Sequence, residues 1–496
     1  MDERKKERTR TPGGIAPRGK RMANKRKIAL FAAGGLLALL ILAVVALVLF
    51  VDVNAHKPWL EAAASNALGM EVRIGGRLGI GLFPGFHVTL EDVRIRNRGL
   101  DVASAKETLL GIELLPLLRK KELRIVKIGM KRPRISIEQD RDGKFNFEER
   151  KETKGTRFFL DAKKIFLSDG ALFYADKKTG EVLEAGDFNL DVSRIRFTGV
   201  KTPDPLKNLS FLAEFSCKEF RKGTLAVSNL KIHIEGKDGV LDLNPVTMLL
   251  FGGRGSGGLR ADLSGSVPHY HIRYSLTRFR IEEFLKALSP KKVAEGSMDF
   301  SSSLSTQGKT ANEMKRNANG EFSLRGENLT LDGVDLDRTF SRYEASQNFN
   351  LVDVGAFFIA GPFGPLITKG YDFGSLFVGT GGCSRIRMLL SDWKVERGIA
   401  QAKDVAMATS ENRIALVGSL DFANERFNDV TVAVVDGKGC AKVRQKIRGP
   451  FLKPEVEKVS VLQTAAGPVL TLLKQAGKVF GGPCEVFYAG SVAPPK

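Results

Sequence analysis

Few residues in this chain are of a type and spacing that do chemistry. His269 and His271 flank Tyr270 and, on a strand, point to one face, supplying two of the three or four ligands that zinc takes. No third histidine is near in sequence, so they read as surface or lining residues. Glu91-Asp92 and Glu148-Glu149 are adjacent carboxylates; on a strand these face opposite ways and make no acid/base pair, so they read as solvated positions or bulges. Gly253-Arg254-Gly255-Ser256-Gly257-Gly258 matches G-x-G-x-x-G, but the dinucleotide fingerprint needs a helix after it. Leu259-Arg260-Ala261-Asp262-Leu263 alternates like a strand instead, and we read the glycines as a flexible turn. Gly308-Lys309-Thr310 has the look of the end of a phosphate-binding loop, with Ser303 where the first glycine is required. Neither G-x-S-x-G nor H-E-x-x-H occurs. No enzyme, cofactor or metal site is expected.

The charge distribution says more. The 496 residues hold 77 Lys+Arg and 56 Asp+Glu, a net +21. Residues 1–27 contain eleven basic and three acidic residues, a local +8, without aromatic interleaving to stack a base, so nucleic acid is not the expected partner. Ile28–Val51 follows as 24 residues without a charge, about 36 Å of helix at 1.5 Å per residue, enough to cross a bilayer core. Lys25, Arg26 and Lys27 abut its start and Asp52 its end, which places the short tail in the cytoplasm and the rest across the membrane. A cleavable signal peptide would have a shorter apolar run and a better small-residue site than Val53-Asn54-Ala55.

Beyond the anchor, Lys57–Leu68 has helical spacing and stops at Gly69. From there the period becomes two: Val88 and Leu90, Phe188, Leu190 and Val192, Leu230, Ile232 and Ile234, Ile386, Met388 and Leu390. Asp142-Gly143, Asp169-Gly170, Asp238-Gly239, Asn319-Gly320, Asp332-Gly333 and Asp436-Gly437 are turn signals between such runs. The fold class is mostly β with minor α: an elongated, curled antiparallel sheet, about 25 strands if half of the outer part is strand. Short helices are predicted over 114–121, 281–288 and 310–318, and the polar stretches 150–157 and 198–208 are candidate boundaries. Val354–Ile367, uncharged but broken by Pro362 and Pro365, reads as packed cap or core. The amphipathic run 459–480 reads as a C-terminal helix covering the sheet's end. The layout is then a basic tail (1–27), an anchor (28–51) and three β regions (52–150, 151–348 and 349–496).

Four cysteines are too few for a disulfide-built scaffold. In an oxidising compartment Cys440 and Cys484 are a candidate bridge closing about 44 residues. Four unpaired buried thiols are the equal alternative.

The arrangement resembles the AsmA family of bacterial envelope proteins. The resemblance rests on an anchor followed, in the family's order, by Lys57-Pro58-Trp59-Leu60-Glu61, Val72-Arg73-Ile74-Gly75-Gly76, Leu82-Phe83-Pro84-Gly85, Leu114-Leu115-Pro116-Leu117-Leu118 and Asp142-Gly143-Lys144-Phe145-Asn146-Phe147. Gly361-Pro362-Phe363-Gly364, Gly449-Pro450-Phe451 and Cys484-Glu485-Val486-Phe487-Tyr488 continue it. The resemblance implies a single-pass inner-membrane protein with its bulk in the periplasm, built as a repeating β-groove. It also implies a part in outer-membrane biogenesis, with phospholipid moved between membranes, envelope proteins as partners and no catalytic residues. A tethered scaffold that influences outer-membrane protein assembly without carrying lipid is the alternative.

Overall fold

The computed structural model describes residues 53–81, 85–120, 124–148, 159–197, 205–286, 294–333, 335–338, 340, 381–457, 460–461 and 486–495. Residues 28–51, 354–367 and most of 459–480 lie outside them. No helix among the described residues is long and apolar enough to cross a membrane.

Among the described residues, alternation of period two builds one sheet of 23 strands. Its N-terminal part is β1 (Glu71–Ile74), β2 (Leu78–Gly81), β3 (His87–Asn97), β4 (Leu100–Ile112), β5 (Arg124–Lys131) and β6 (Arg134–Gln139). The middle is β7 (Phe159–Asp176), β8 (Val182–Phe197), β9 (Leu209–Lys222), β10 (Leu225–Lys237), β11 (Val240–Leu250), β12 (Gly253–Asp262) and β13 (His269–Arg280). The C-terminal part holds β14 (Ala294–Glu295), β15 (Ser297–Gln307), β16 (Asn319–Asp332), β17 (Cys383–Glu396), β18 (Ile399–Ala408) and β19 (Arg413–Asp421). It ends with β20 (Arg426–Val435), β21 (Ala441–Pro450), β22 (Glu455–Val456) and β23 (Ser460–Val461). The strands follow one another as a meander in which β1/β2, β5/β6, β14/β15 and β22/β23 lie end to end, so the 23 strands make 19 rungs. At about 4.8 Å per rung the sheet runs on the order of 90 Å along its arc. Ser460 and Val461, predicted within a terminal helix, form β23.

Short helices interrupt the meander. α1 (Lys57–Leu68) has the predicted bounds, ending on Gly69 at φ 66°. α2 (Leu114–Lys120), α3 (Ile281–Lys286) and α4 (Ala311–Arg316) lie on the three predicted insertions. The Thr310 hydroxyl caps α4 by accepting from Glu313 N–H, while the Glu313 carboxylate accepts from Lys309 N–H, a reciprocal cap that accounts for Gly308-Lys309-Thr310.

The sheet is not purely antiparallel. β5 and β6 are one strand bent at Arg132-Pro133, and both pair parallel with β7. Parallel pairing needs a crossover of a dozen or more residues, and positions 140–158 supply it. The Asp142–Phe147 block pins its start: Asp140 Oδ1 accepts from the Asp142 and Lys144 N–H groups, and Asn146 Nδ2 donates to the Ser136 carbonyl at 2.8 Å.

Two turn readings are corrected. Asp169-Gly170 lies inside the 18-residue β7, and Asn319-Gly320 opens β16. Asp169 (φ 53°) belongs to a set of mid-strand residues in the left-handed region, with Asp92, Asp187, Asn229, Asn328 and Asp429. Short Asp and Asn side chains tolerate that region, and an extra residue there bends and twists the strand, which curls the sheet. Asp92 takes this conformation without a shift of register against β4, where Glu91 pairs with Glu107 and Val93 with Ala105. Asp238-Gly239 is a two-residue hairpin loop with both φ positive, as predicted; Arg98-Gly99 and Arg397-Gly398 are too, without having been singled out.

Candidate functional site: an apolar line across the sheet

Residues paired across neighbouring strands share a face. Following one such line from the N-terminal edge gives Ile80, Val88, Leu110, Ile128, Ile165 and Val192. It continues through Ala213, Ile234, Leu243, Leu259, Ile272 and Leu304. It ends with Gly320, Val395, Ala400, Leu420, Phe427 and Gly449. Every member is apolar or glycine. A second line beside it carries Met130, Leu167, Leu190, Phe215, Ile232 and Val246. The opposite face is wet: Lys164 pairs with Asp191, His233 with Glu214 and Arg260 with Asp242.

What covers the line changes along it. At the N-terminal end Leu60 and Ala64 of α1 pack against Val72, Ile74, Leu78, Leu90 and Val93. The helix also protects the sheet edge, since Ile74 N–H donates to Glu61 Oε1 at 2.7 Å and Val72 N–H to Ser65 Oγ at 2.8 Å. Through β7–β13 the line is half-buried by its own neighbours, and Ile272 is 38% exposed. From β17 onward it is sealed, with Val395 at 5% and Ala400 at 0% in a core that also takes Phe284 and Leu285 of α3.

Polar groups on the open face stay neutral. Burial pushes the Cys217 thiol up, and burial likewise raises the Tyr274 hydroxyl, which has no hydrogen-bond partner in the structure. These two groups therefore bring no charge to the apolar line.

The glycine run is part of this surface and is not a turn. It lies in β12, with Gly253, Gly255 and Gly257 on the apolar face. A Cβ at 255 would stand 2.5 Å from the Tyr274 hydroxyl, and one at 253 would stand 2.7 Å from Phe279. Gly255 makes room for the Tyr274 ring, and Gly253 and Gly257 for the close approach of the β13 backbone. His269 and His271 sit on the wet side, beside a 490 Å³ polar pocket shared with Arg260, Asp262 and Arg397, and His271 Nε2 accepts from Arg273 Nε at 2.9 Å. Lys25, Arg26, Lys27 and Cys484 lie outside the described residues. Cys440, in the β20–β21 connection, is disulfide-bonded, and Cys217 and Cys383 are free.

On the wet face of β17–β20 the alternation fails: Leu390, Ala406, Ala408, Ala415, Ala433 and Val435 form a second core under Tyr488 and Val492. The strap 486–495 is held there by Tyr488 Oη donating to Asp404 Oδ1 at 2.5 Å, by the Ser491 N–H and hydroxyl donating to Asp404 Oδ2, and by Arg413 Nη1 donating to the Val492 carbonyl at 3.0 Å.

Nothing in the sequence marked the line itself, because a groove and an ordinary core both alternate apolar with polar. Register between distant strands distinguishes them.

A long curled sheet crossed by one continuous apolar line, half-exposed in its middle and covered at its ends, fits the β-groove class. The chain belongs to the AsmA family, whose sequence model matches residues 22–203 and 160–360. No protein of curated function and no solved structure matches it.

Proposed function

We propose that this protein binds phospholipid by its acyl chains along the apolar line and passes it along the sheet, as an inner-membrane-anchored periplasmic member of its family acting in outer-membrane biogenesis. The observation that carries the reading is the line itself: a row without a polar side chain that is half-open from β7 to β13. Each buried methylene contributes about 0.8 kcal/mol, so two long chains are held firmly. Head groups stay in water at the rim, where burial would cost several kcal/mol. Successive rungs offer nearly the same surface, so a chain moves from one to the next without chemistry. The anchor supplies the donor membrane, and the basic residues near it suit an anionic surface.

The test is lipid extraction and mass spectrometry of the full-length protein purified in exchanged detergent. The wild type is expected to retain phospholipid. Ile272→Asp is expected to lose most of it while the protein stays folded, as circular dichroism checks, since Ile272 is 38% exposed. A wild type without lipid, crosslinking to a stable protein partner along β7–β13, would overturn the reading in favour of a scaffold.

A further inference from the structure

One position in the covered half of the line has no side chain where its neighbours are large. Gly320 lies between Leu304 and Val395, with Ala318 and Phe322 two residues away on either side. Its φ is 137°, and a Cβ there would come 2.0 Å from the Ser303 carbonyl oxygen, so the backbone accepts glycine alone. A cavity of about 130 Å³ lies beside this rung, lined by Leu304, Ala318, Phe322, Val395, Phe422 and Phe451. At its edge Lys315 of α4 meets Glu425 of the β19–β20 turn at 2.5 Å, an ion pair between groups 110 residues apart.

We propose that this cavity receives the terminal carbons of an acyl chain lying on the apolar line. The inference rests on the lipid-binding reading above and adds where the chain ends. Cavities of this size lined by aliphatic and aromatic groups stay dry and take small apolar guests, and at roughly 30 Å³ per group this one has room for about four methylenes. The line is open just before it, at Ile272 (38% exposed), and sealed just after it, at Val395 (5%). A chain end advancing along the open middle therefore meets this cavity where the covered region begins, between Leu304 and Val395. The Lys315–Glu425 pair closes the rim over it, so the chain's polar end points back toward β13 and the open face.

Trp393 reports on this place. It is buried and stacks on Phe322 with ring centroids 6.0 Å apart. The chain has two tryptophans, so Trp59→Phe leaves Trp393 as the sole emitter. Full-length Trp59→Phe protein in detergent is loaded with phosphatidylcholine brominated either at the last carbons of the chain or near the ester. Terminal bromines are expected to quench Trp393, and ester-proximal bromines to leave its emission unchanged. Adding Ala318→Phe, which fills the cavity, is expected to abolish terminal quenching while extracted lipid remains. Equal quenching by both lipids, or stronger quenching by the ester-proximal one, overturns the end pocket and leaves lipid binding standing. Absence of bound lipid overturns both.

Discussion

The open middle, β7–β13, and the closed C-terminal part, β16–β21, share the same alternation and the same apolar line, yet one is a half-exposed surface and the other a sealed core. The strands do not differ in the residues they put on the line: Ile234, Leu243 and Leu259 in one, Val395, Leu420 and Phe427 in the other. They differ in what is laid over them and in the far face. In the closed part that face becomes apolar through alanines, whose small side chains let the 486–495 strap lie close. In the middle it carries exposed ion pairs, each worth little. A groove thus differs from a core by its cover and not by its strands.

That contrast predicts unequal costs for similar truncations. Leu389→Ala, at a fully buried position, is expected to lower stability by about 2–5 kcal/mol because it leaves a cavity. Ile272→Ala is expected to cost about 1 kcal/mol, since the side chain is partly in water already and no cavity forms. Urea denaturation followed by circular dichroism compares them, and equal costs would break the contrast.

The disulfide comes next in size. We propose Cys484 as the partner of Cys440, because Val486, two residues on, bridges to Cys440 and starts the strap. Cys440→Ser is then expected to destabilise the closed part by about 3 kcal/mol, the amount set by closing a loop of tens of residues, and to leave the middle unchanged. Thiol counting on the denatured, unreduced wild type should find two free thiols; four would remove the bridge.

How much of this could be read in advance follows from the range of each interaction. α1, its Gly69 stop and the sites of α2, α3 and α4 were legible because helix spacing and caps are local. The parallel pairing of β7 was not, since a crossover depends on where a strand lands and not on what it contains. Asp169-Gly170 was misread because a left-handed Asp serves equally in a turn and in a mid-strand bulge. Gly253–Gly258 was misread because its reason, the Tyr274 ring and the close backbone of β13, sits on the next strand. The apolar line needed the register of every strand, and Gly320 is meaningful only once Leu304 and Val395 are known to flank it.

A more local effect is expected at the strap, where pH separates the two regions. Burial opposes ionisation of Asp404, but hydrogen bonds from Tyr488 and Ser491 outweigh it and hold the carboxyl below its usual range. Burial, and then the hydrogen bond to Asp404, push the Tyr488 hydroxyl well above its usual value. A depressed carboxyl adds stability that is present above its unfolded value and lost as pH falls through the folded one. A raised tyrosine adds stability that is present below its unfolded value and lost as pH rises past it. The strap should therefore be most protected between about pH 4 and pH 10, loosening on either side. Hydrogen exchange of residues 486–495 measures this, with β8–β12 amides as the internal control. Tyr488→Phe removes one charged hydrogen bond, is expected to cost about 1–2 kcal/mol locally, and should erase the alkaline limb while leaving an acid limb from Asp404 and Ser491. If β8–β12 loosened in parallel with the strap, the open and closed parts would be one cooperative unit. The middle would then owe its half-exposed face to the same covering that seals the end.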